Sequence, residues 1–168
     1  MAAVANGKKL MVAIDENGSS YEALMWVLEN LRDSINSSGN PLVIFMAQAS
    51  PSYNNVFAAS LGSARMYCPV SSTTDYVNSV NERNSAVSLG ILEKAKSICT
   101  SHGVNAETIL EIGDPKQAIC NAVQKYNVSL LIIGDHEIGK IKRALIGSVS
   151  NYCVQYAKCP ILVVKKPE

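Results

Sequence analysis

A parallel, doubly wound α/β sheet of five strands is the fold class that this sequence predicts. Five short apolar runs of strand length recur along the chain. The stretches between them carry apolar residues at three- and four-residue spacing, the mark of amphipathic helices. The second run, "PLVIFMAQ", is continuously apolar rather than alternating, which suits a strand covered on both faces, and strand–helix–strand units in one sheet cross over right-handed.

The first run, Leu10 to Ile14, turns through Asp15-Glu16-Asn17-Gly18. Ser19 with Glu22 three residues later reads as a capping box, opening a helix whose Leu24, Val27, Leu28, Leu31 and Ile35 share a face. "PLVIFMAQ" is the second strand. A helix follows from about Thr74 to Ser101, with Val80, Val87, Ile91, Ala95 and Ile98 on its stripe. "AETILEI" is the third strand. In "GDPKQAICNAVQKY", Asp114 reads as the N-cap and Pro115 as the first helical residue, with Ile119, Ala122, Val123 and Tyr126 facing inward. "SLLIIG" is the fourth strand, Ser148 to about Tyr156 the last helix, and "PILVVK" the fifth strand.

The 168 residues, 48% of them hydrophobic, suit one domain over 1–168. The segment from about 49 to 73 is too long for a routine connection. Its composition does not separate a mobile cover over a site from a passive insertion. A net charge of +1 and the lack of basic clusters interleaved with aromatics give no sign of nucleic-acid binding. No apolar run spans a bilayer and "MAAVANGKK" has no signal-peptide layout, so a cytoplasmic chain without a membrane partner is expected. The five cysteines, irregularly spaced and without a C-x-x-C pair, read as reduced and mostly buried.

Ligands of doubly wound sheets bind beyond the carboxyl ends of the strands, where strand order reverses. The stretch "LLIIGDHEIGKIKRALIGSVSN" lies at such an end. Gly134 closes the fourth strand, and Gly147-Ser148-Val149-Ser150 opens the last helix, whose free N–H groups and partial positive charge suit an anion. Neither G-x-x-x-x-G-K-[ST] nor G-x-G-x-x-G is present. On periodicity alone the plainer reading, turn glycines with a serine N-cap, is preferred. Asp15-Glu16 as an acidic pocket of response-regulator type would need a phosphoacceptor after the third strand, where Asp114 reads as a helix cap. His102 reads as a surface residue at a helix end, Trp26 and Tyr126 as packing residues. No nucleophile elbow or other catalytic constellation is found, so an enzyme is not expected.

The order of elements, "VAID" at the end of the first strand, and "GDHEIGKIKRALIGSVSNYCVQYAKCPILVVK" resemble the universal stress protein family, especially its single-domain plant members. The resemblance implies a Rossmann-like fold of the adenine nucleotide alpha hydrolase type with strand order 3-2-1-4-5. It implies an adenine-nucleotide site (ATP or AMP) with Ala13, Ile14 and Asp15 along the nucleotide and Asp15 near the ribose. Ala47 and Ile133 would lie near the adenine, and Gly134, Gly147, Ser148, Val149 and Ser150 around the phosphates. Of the family's G-x2-G-x9-G-[S/T], Gly134 and Gly147-Ser148 match, but Glu137 stands at the second glycine. His136, Gly139, Lys142 and Arg143 match the plant form of the loop.

A glutamate there hinders backbone approach and sets a negative charge near the phosphates. Two unit charges about 5 Å apart at an effective dielectric near 20 interact by roughly 3 kcal/mol before screening. A tenfold to hundredfold loss of affinity is the expected order, since about 1.4 kcal/mol is tenfold. Nothing in the sequence fixes an octahedral site, so Mg²⁺ is expected only together with nucleotide. The implied function is a stress-response sensor or adaptor with at most slow incidental ATP hydrolysis. The alternative is a dimeric interaction module that binds no nucleotide. The resemblance further implies a homodimer through the last strand, residues 160–165, with protein partners that the sequence does not name.

Overall fold

The computed structural model describes residues 7–50, 70–135 and 147–165. In chain order the elements are β1 (Leu10–Ile14), α1 (Gly18–Asn30), α2 (Arg32–Ser38), β2 (Leu42–Gln48), α3 (Val70–Ser101), β3 (Ala106–Ile112), α4 (Pro115–Lys125), β4 (Leu130–Gly134), α5 (Ser148–Tyr156) and β5 (Ile161–Val164). The sheet is five-stranded in the order β3-β2-β1-β4-β5, with every pair parallel, as expected. Among the described residues no helix is long and apolar enough to cross a membrane.

The central strands β1, β2 and β4 are buried on both faces, while the edge strands β3 and β5 are mostly half-buried. Along β1, Val12 and Ile14 face the layer of α1, α2 and α3, where Leu24, Val27, Leu28, Ile35, Leu92 and Cys99 complete one core. Met11 and Ala13 face α4 and α5, whose Ile119, Ala122, Val123 and Cys153 complete the other. Each strand residue belongs to one core or the other because successive side chains point to opposite faces. Order reverses at β1, which pairs with β2 on one side and β4 on the other.

Three helix expectations change. The single helix expected to carry Leu24 through Ile35 is divided into α1 and α2 at Leu31, whose φ of -118° and ψ of 4° leave the helical range. The N-cap of α1 is Asn17, not Ser19, and its side chain makes no cap bond to the helix. Instead Asp15 Oδ1 accepts from the Asn17 backbone N–H at 2.9 Å and Asp15 Oδ2 from its side-chain amide at 2.8 Å. This Asx turn starts the helix early and puts Ser19 inside its first turn. In α3, which begins at Val70, Val87 is exposed while Ser88, Leu92, Ala95 and Cys99 are buried. Spacings of four, three and four hold the buried set on the sheet, and Val87, one residue before Ser88, is turned about 100° away.

Other readings hold in detail. Asp114 caps α4, its Oδ1 accepting from Gln117 N–H at 3.2 Å, with Pro115 in the first helical position. His102 Nδ1 lies 2.8 Å from the Ile98 carbonyl at the end of α3. Trp26 and Tyr126 pack against the two cores. Cys99, Cys120 and Cys153 are free and buried, and Cys159 is half-buried.

Candidate functional site

The carboxyl ends of β1, β2 and β4 border a cleft of about 150 Å³ beside the N-termini of α1, α4 and α5. Register builds its apolar wall. Phe45 of β2, Ala13 of β1 and Ile133 of β4 are Cα partners in a single row across three strands. Ala47 follows two residues after Phe45 on the same face, and Ile119 of α4 closes the wall. The alanines leave the space that larger side chains would fill.

Helix ends supply the polar side. The first N–H groups of a helix have no partner within it. At α4 that end is sealed by Asp114 and by Pro115, which has no N–H. At α5 Gly147 is the N-cap and, among the described residues, no side chain caps the helix, so the N-terminal residues Ser148, Val149 and Ser150 offer their N–H groups at the cleft they line. An anion placed there meets unsatisfied donors and the positive end of the helix dipole. Ser150 is buried and Ser148 exposed, which leaves one hydroxyl inside the cleft and one at its rim.

The Asp15 loop is held from two sides. The Asp15 N–H donates to Ser20 Oγ at 3.1 Å, and that hydroxyl lies 2.8 Å from the Asn17 carbonyl oxygen, to which it donates. With Asn17 gripping both carboxylate oxygens, Asp15 presents a fixed acceptor at the cleft edge.

Gly134 is required by contact rather than by backbone angle, since its φ is not positive. A Cβ at this position would lie 2.6 Å from the Ser19 carbonyl carbon and 2.9 Å from Ser20 N, and nearer still to the Ser19 carbonyl oxygen. The first turn of α1 therefore rests directly on the end of β4, and the cleft takes its shape from that approach.

Of the residues the sequence singles out, Ala13, Ile14, Asp15, Ala47, Ile133, Gly134, Gly147, Ser148, Val149 and Ser150 all line this cleft. His136, Glu137 and Gly139, with Lys142 and Arg143, lie outside the described residues, as does most of the segment from 49 to 73. Asp135 is not among the lining residues; its N–H donates to the Val164 carbonyl at 2.8 Å, continuing the β4–β5 ladder. Sequence reasoning missed Ser19, Ser20, Phe45, Pro115 and Ile119. Phe45 was findable from Ala47, two residues away on the same face.

A second cavity, about 220 Å³, lies on the opposite side of β1 between α1 and α3 and shares Ile14, Asp15 and Ser20 with the first. It is larger, but its wall of Leu24, Ile91, Ala95 and Ile98 comes with a single lysine, Lys94, and no second helix N-terminus. The smaller cleft combines an apolar wall, a fixed carboxylate and an open helix end. That set suits a ligand with a flat apolar part, hydroxyls and an anionic group.

Comparison with known proteins bears on the family and the fold. The family model described as "Universal stress protein family" matches residues 7–165. A universal stress protein A-like protein of Arabidopsis thaliana is 32% identical over 87 residues, 52% of this chain and 50% of that protein. A universal stress protein of Bacillus subtilis is 34% identical over 90 residues, 54% of this chain and 61% of its own. The chain thus spans about half to three-fifths of these relatives' length. Among solved structures, a family protein from Arabidopsis thaliana with AMP bound is 25% identical, with a TM-score of 0.61 over 95% of this chain and 92% of that one. UspA from Lactobacillus plantarum, 15% identical, shares the fold with a TM-score of 0.72 over 95% and 99% of the two chains.

Proposed function

Because the chain belongs to the universal stress protein family, we propose that it binds an adenine nucleotide in this cleft and acts through that binding as a stress sensor or adaptor. The observation that carries the reading is the meeting of the apolar row Phe45–Ala13–Ile133 with the open N-terminus of α5 in a single cleft. The base lies along the row, the ribose hydroxyls donate to Asp15, and the phosphate sits on the N–H groups of Ser148, Val149 and Ser150. The Arabidopsis relative solved with AMP supports the choice of nucleotide. Binding rather than catalysis is the proposed activity, and any Mg²⁺ enters with the nucleotide.

Ser148→Asp tests the phosphate position. A carboxylate at the rim repels phosphate by about 1.4–3 kcal/mol, so AMP affinity falls roughly tenfold to hundredfold. Adenosine, which lacks the phosphate, loses less than about twofold. Calorimetric titration of both ligands into both proteins reads this, and equal loss for AMP and adenosine would sink the assignment.

The adaptor part of the reading rests on the sheet edge. β5 is an edge strand made of half-buried Ile161, Leu162, Val163 and Val164, and exposed apolar edges invite pairing with another chain. A homodimer through this strand follows. Light scattering at micromolar concentration should give twice the 18.0 kDa chain mass, with Val163→Lys shifting it toward monomer. A clean monomer from the unaltered chain contradicts the dimer.

A further inference from the structure

One wall of the cleft carries chemistry that nucleotide binding does not use. Helices α4 and α5 pack together, and the Cys120 and Cys153 sulfurs meet between them at 4.0 Å. Cys153 is fully buried and Cys120 nearly so. Cys120 directly follows the cleft residue Ile119, and Cys153 stands one helical turn beyond Val149 and Ser150. We propose that Cys120 and Cys153 are a dithiol that peroxide converts to a disulfide, tying α4 to α5 across the wall of the cleft.

The geometry asks for little. Sulfurs 4.0 Å apart must close to about 2.05 Å, an adjustment of roughly 1 Å on each helix. The two thiols are not equivalent. Burial, and after it the neighbouring Cys120, push Cys153 up to about 12. Burial raises Cys120 as well, with its hydrogen bond to Cys153 acting in the opposite direction. Cys120, the less buried of the two, is the sulfur that peroxide reaches first, and its thiolate is the nucleophile.

The Cys120 thiolate attacks one oxygen of hydrogen peroxide, the O–O bond breaks, and the departing hydroxide takes up a proton as water, leaving a sulfenic acid. The Cys153 sulfur then attacks the Cys120 sulfur. The S–O bond breaks and the hydroxyl leaves with the Cys153 proton as a second water. Two thiols and one peroxide thus give one disulfide and two waters, the sulfurs being oxidised and the peroxide reduced.

The test uses the whole, fully reduced chain treated with millimolar hydrogen peroxide, alkylated and cut with trypsin. Cys120, Cys153, Cys159 and Cys68 fall in four different tryptic peptides. The expected result is an intact mass lower by about 2 Da, two hydrogens, before alkylation and digestion, and after them a reductant-sensitive pair joining residues 117–125 to residues 144–158. Cys159→Ser should keep the pair and Cys153→Ser abolish it. Free Cys120 and Cys153 after treatment, sulfinic or sulfonic products on either, or linkage of either to Cys159 or Cys68 would overturn the proposal.

The consequence for the cleft rests on the nucleotide reading. A wall displaced by about 1 Å exceeds the roughly 0.5 Å tolerance of a formed site, so the oxidised protein should bind AMP on the order of tenfold more weakly and recover with dithiothreitol. Equal affinity in both states would remove the coupling between disulfide and cleft. If the reduced protein bound no AMP at all, the nucleotide reading would fail, and the peptide map would still decide the disulfide.

Discussion

Gly134→Ala is expected to lower the melting temperature by roughly 6–12 °C for a chain of this size, the equivalent of about 3 kcal/mol or more. The added methyl group would press on the backbone of Ser19 and Ser20 at separations under 3 Å. Flexible side chains can swing away from such a contact. Here the neighbours are the carbonyl carbon, carbonyl oxygen and amide nitrogen of a helical turn, so relief requires α1 to move as a body. That helix packs on β1, β4 and β5 through Ala23, Leu24, Val27 and Leu28, and interiors packed at crystal density give way poorly. Because Ser19 and Ser20 also line the cleft, ligand binding should fall together with stability. Thermal unfolding followed by circular dichroism checks the prediction, and a shift below about 2 °C would mean that the close approach of α1 to β4 is wrong.

Glu137→Gly is expected to raise ATP affinity tenfold to hundredfold. The change removes a negative charge from the segment that the family likeness assigns to the phosphates, worth up to roughly 3 kcal/mol if the two charges stand about 5 Å apart at an effective dielectric near 20, and restores the glycine of the family pattern. High salt should shrink the difference, since screening weakens the repulsion first. Glu137→Gln separates charge from bulk: recovery of most of the gain by glutamine assigns the effect to charge, and recovery of little assigns it to backbone access. Comparable ATP affinity for the unaltered chain and Glu137→Gly would show that the acid is tolerated. Asp135 should matter far less, because its backbone is committed to the β4–β5 ladder and it does not line the cleft. Asp135→Ala is therefore the natural control in the same titration.

The sheet was legible because its signal is collective. Five apolar runs separated by helical stretches need no exact boundary to declare a parallel sheet, and strand order followed from the family likeness. Helix starts were less legible, since serine, asparagine and aspartate all suit a first turn. At α1 the Asx turn of Asp15 and Asn17 settles the competition, and sequence alone does not rank such alternatives. Val87 was misplaced because a long helix offers two adjacent stripes, and only contact with the sheet selects Ser88 and Leu92 over it. Most cleft residues were readable from the pattern, but the reason for Gly134 was not. Sequence suggested a turn glycine, whereas the structure requires absence of a side chain against another helix. Ser20 was invisible for a related cause: its hydroxyl serves a loop five residues back, a pairing that exists only after folding.

Calorimetric titration of AMP into the unaltered chain is the most direct measurement of whether this cleft is a nucleotide site. Saturable binding at one site per chain, stronger for AMP than for adenosine, is the predicted result. No binding of AMP by either the unaltered chain or Glu137→Gly, with both proteins folded, would contradict it and leave the sheet edge at β5 as the functional surface.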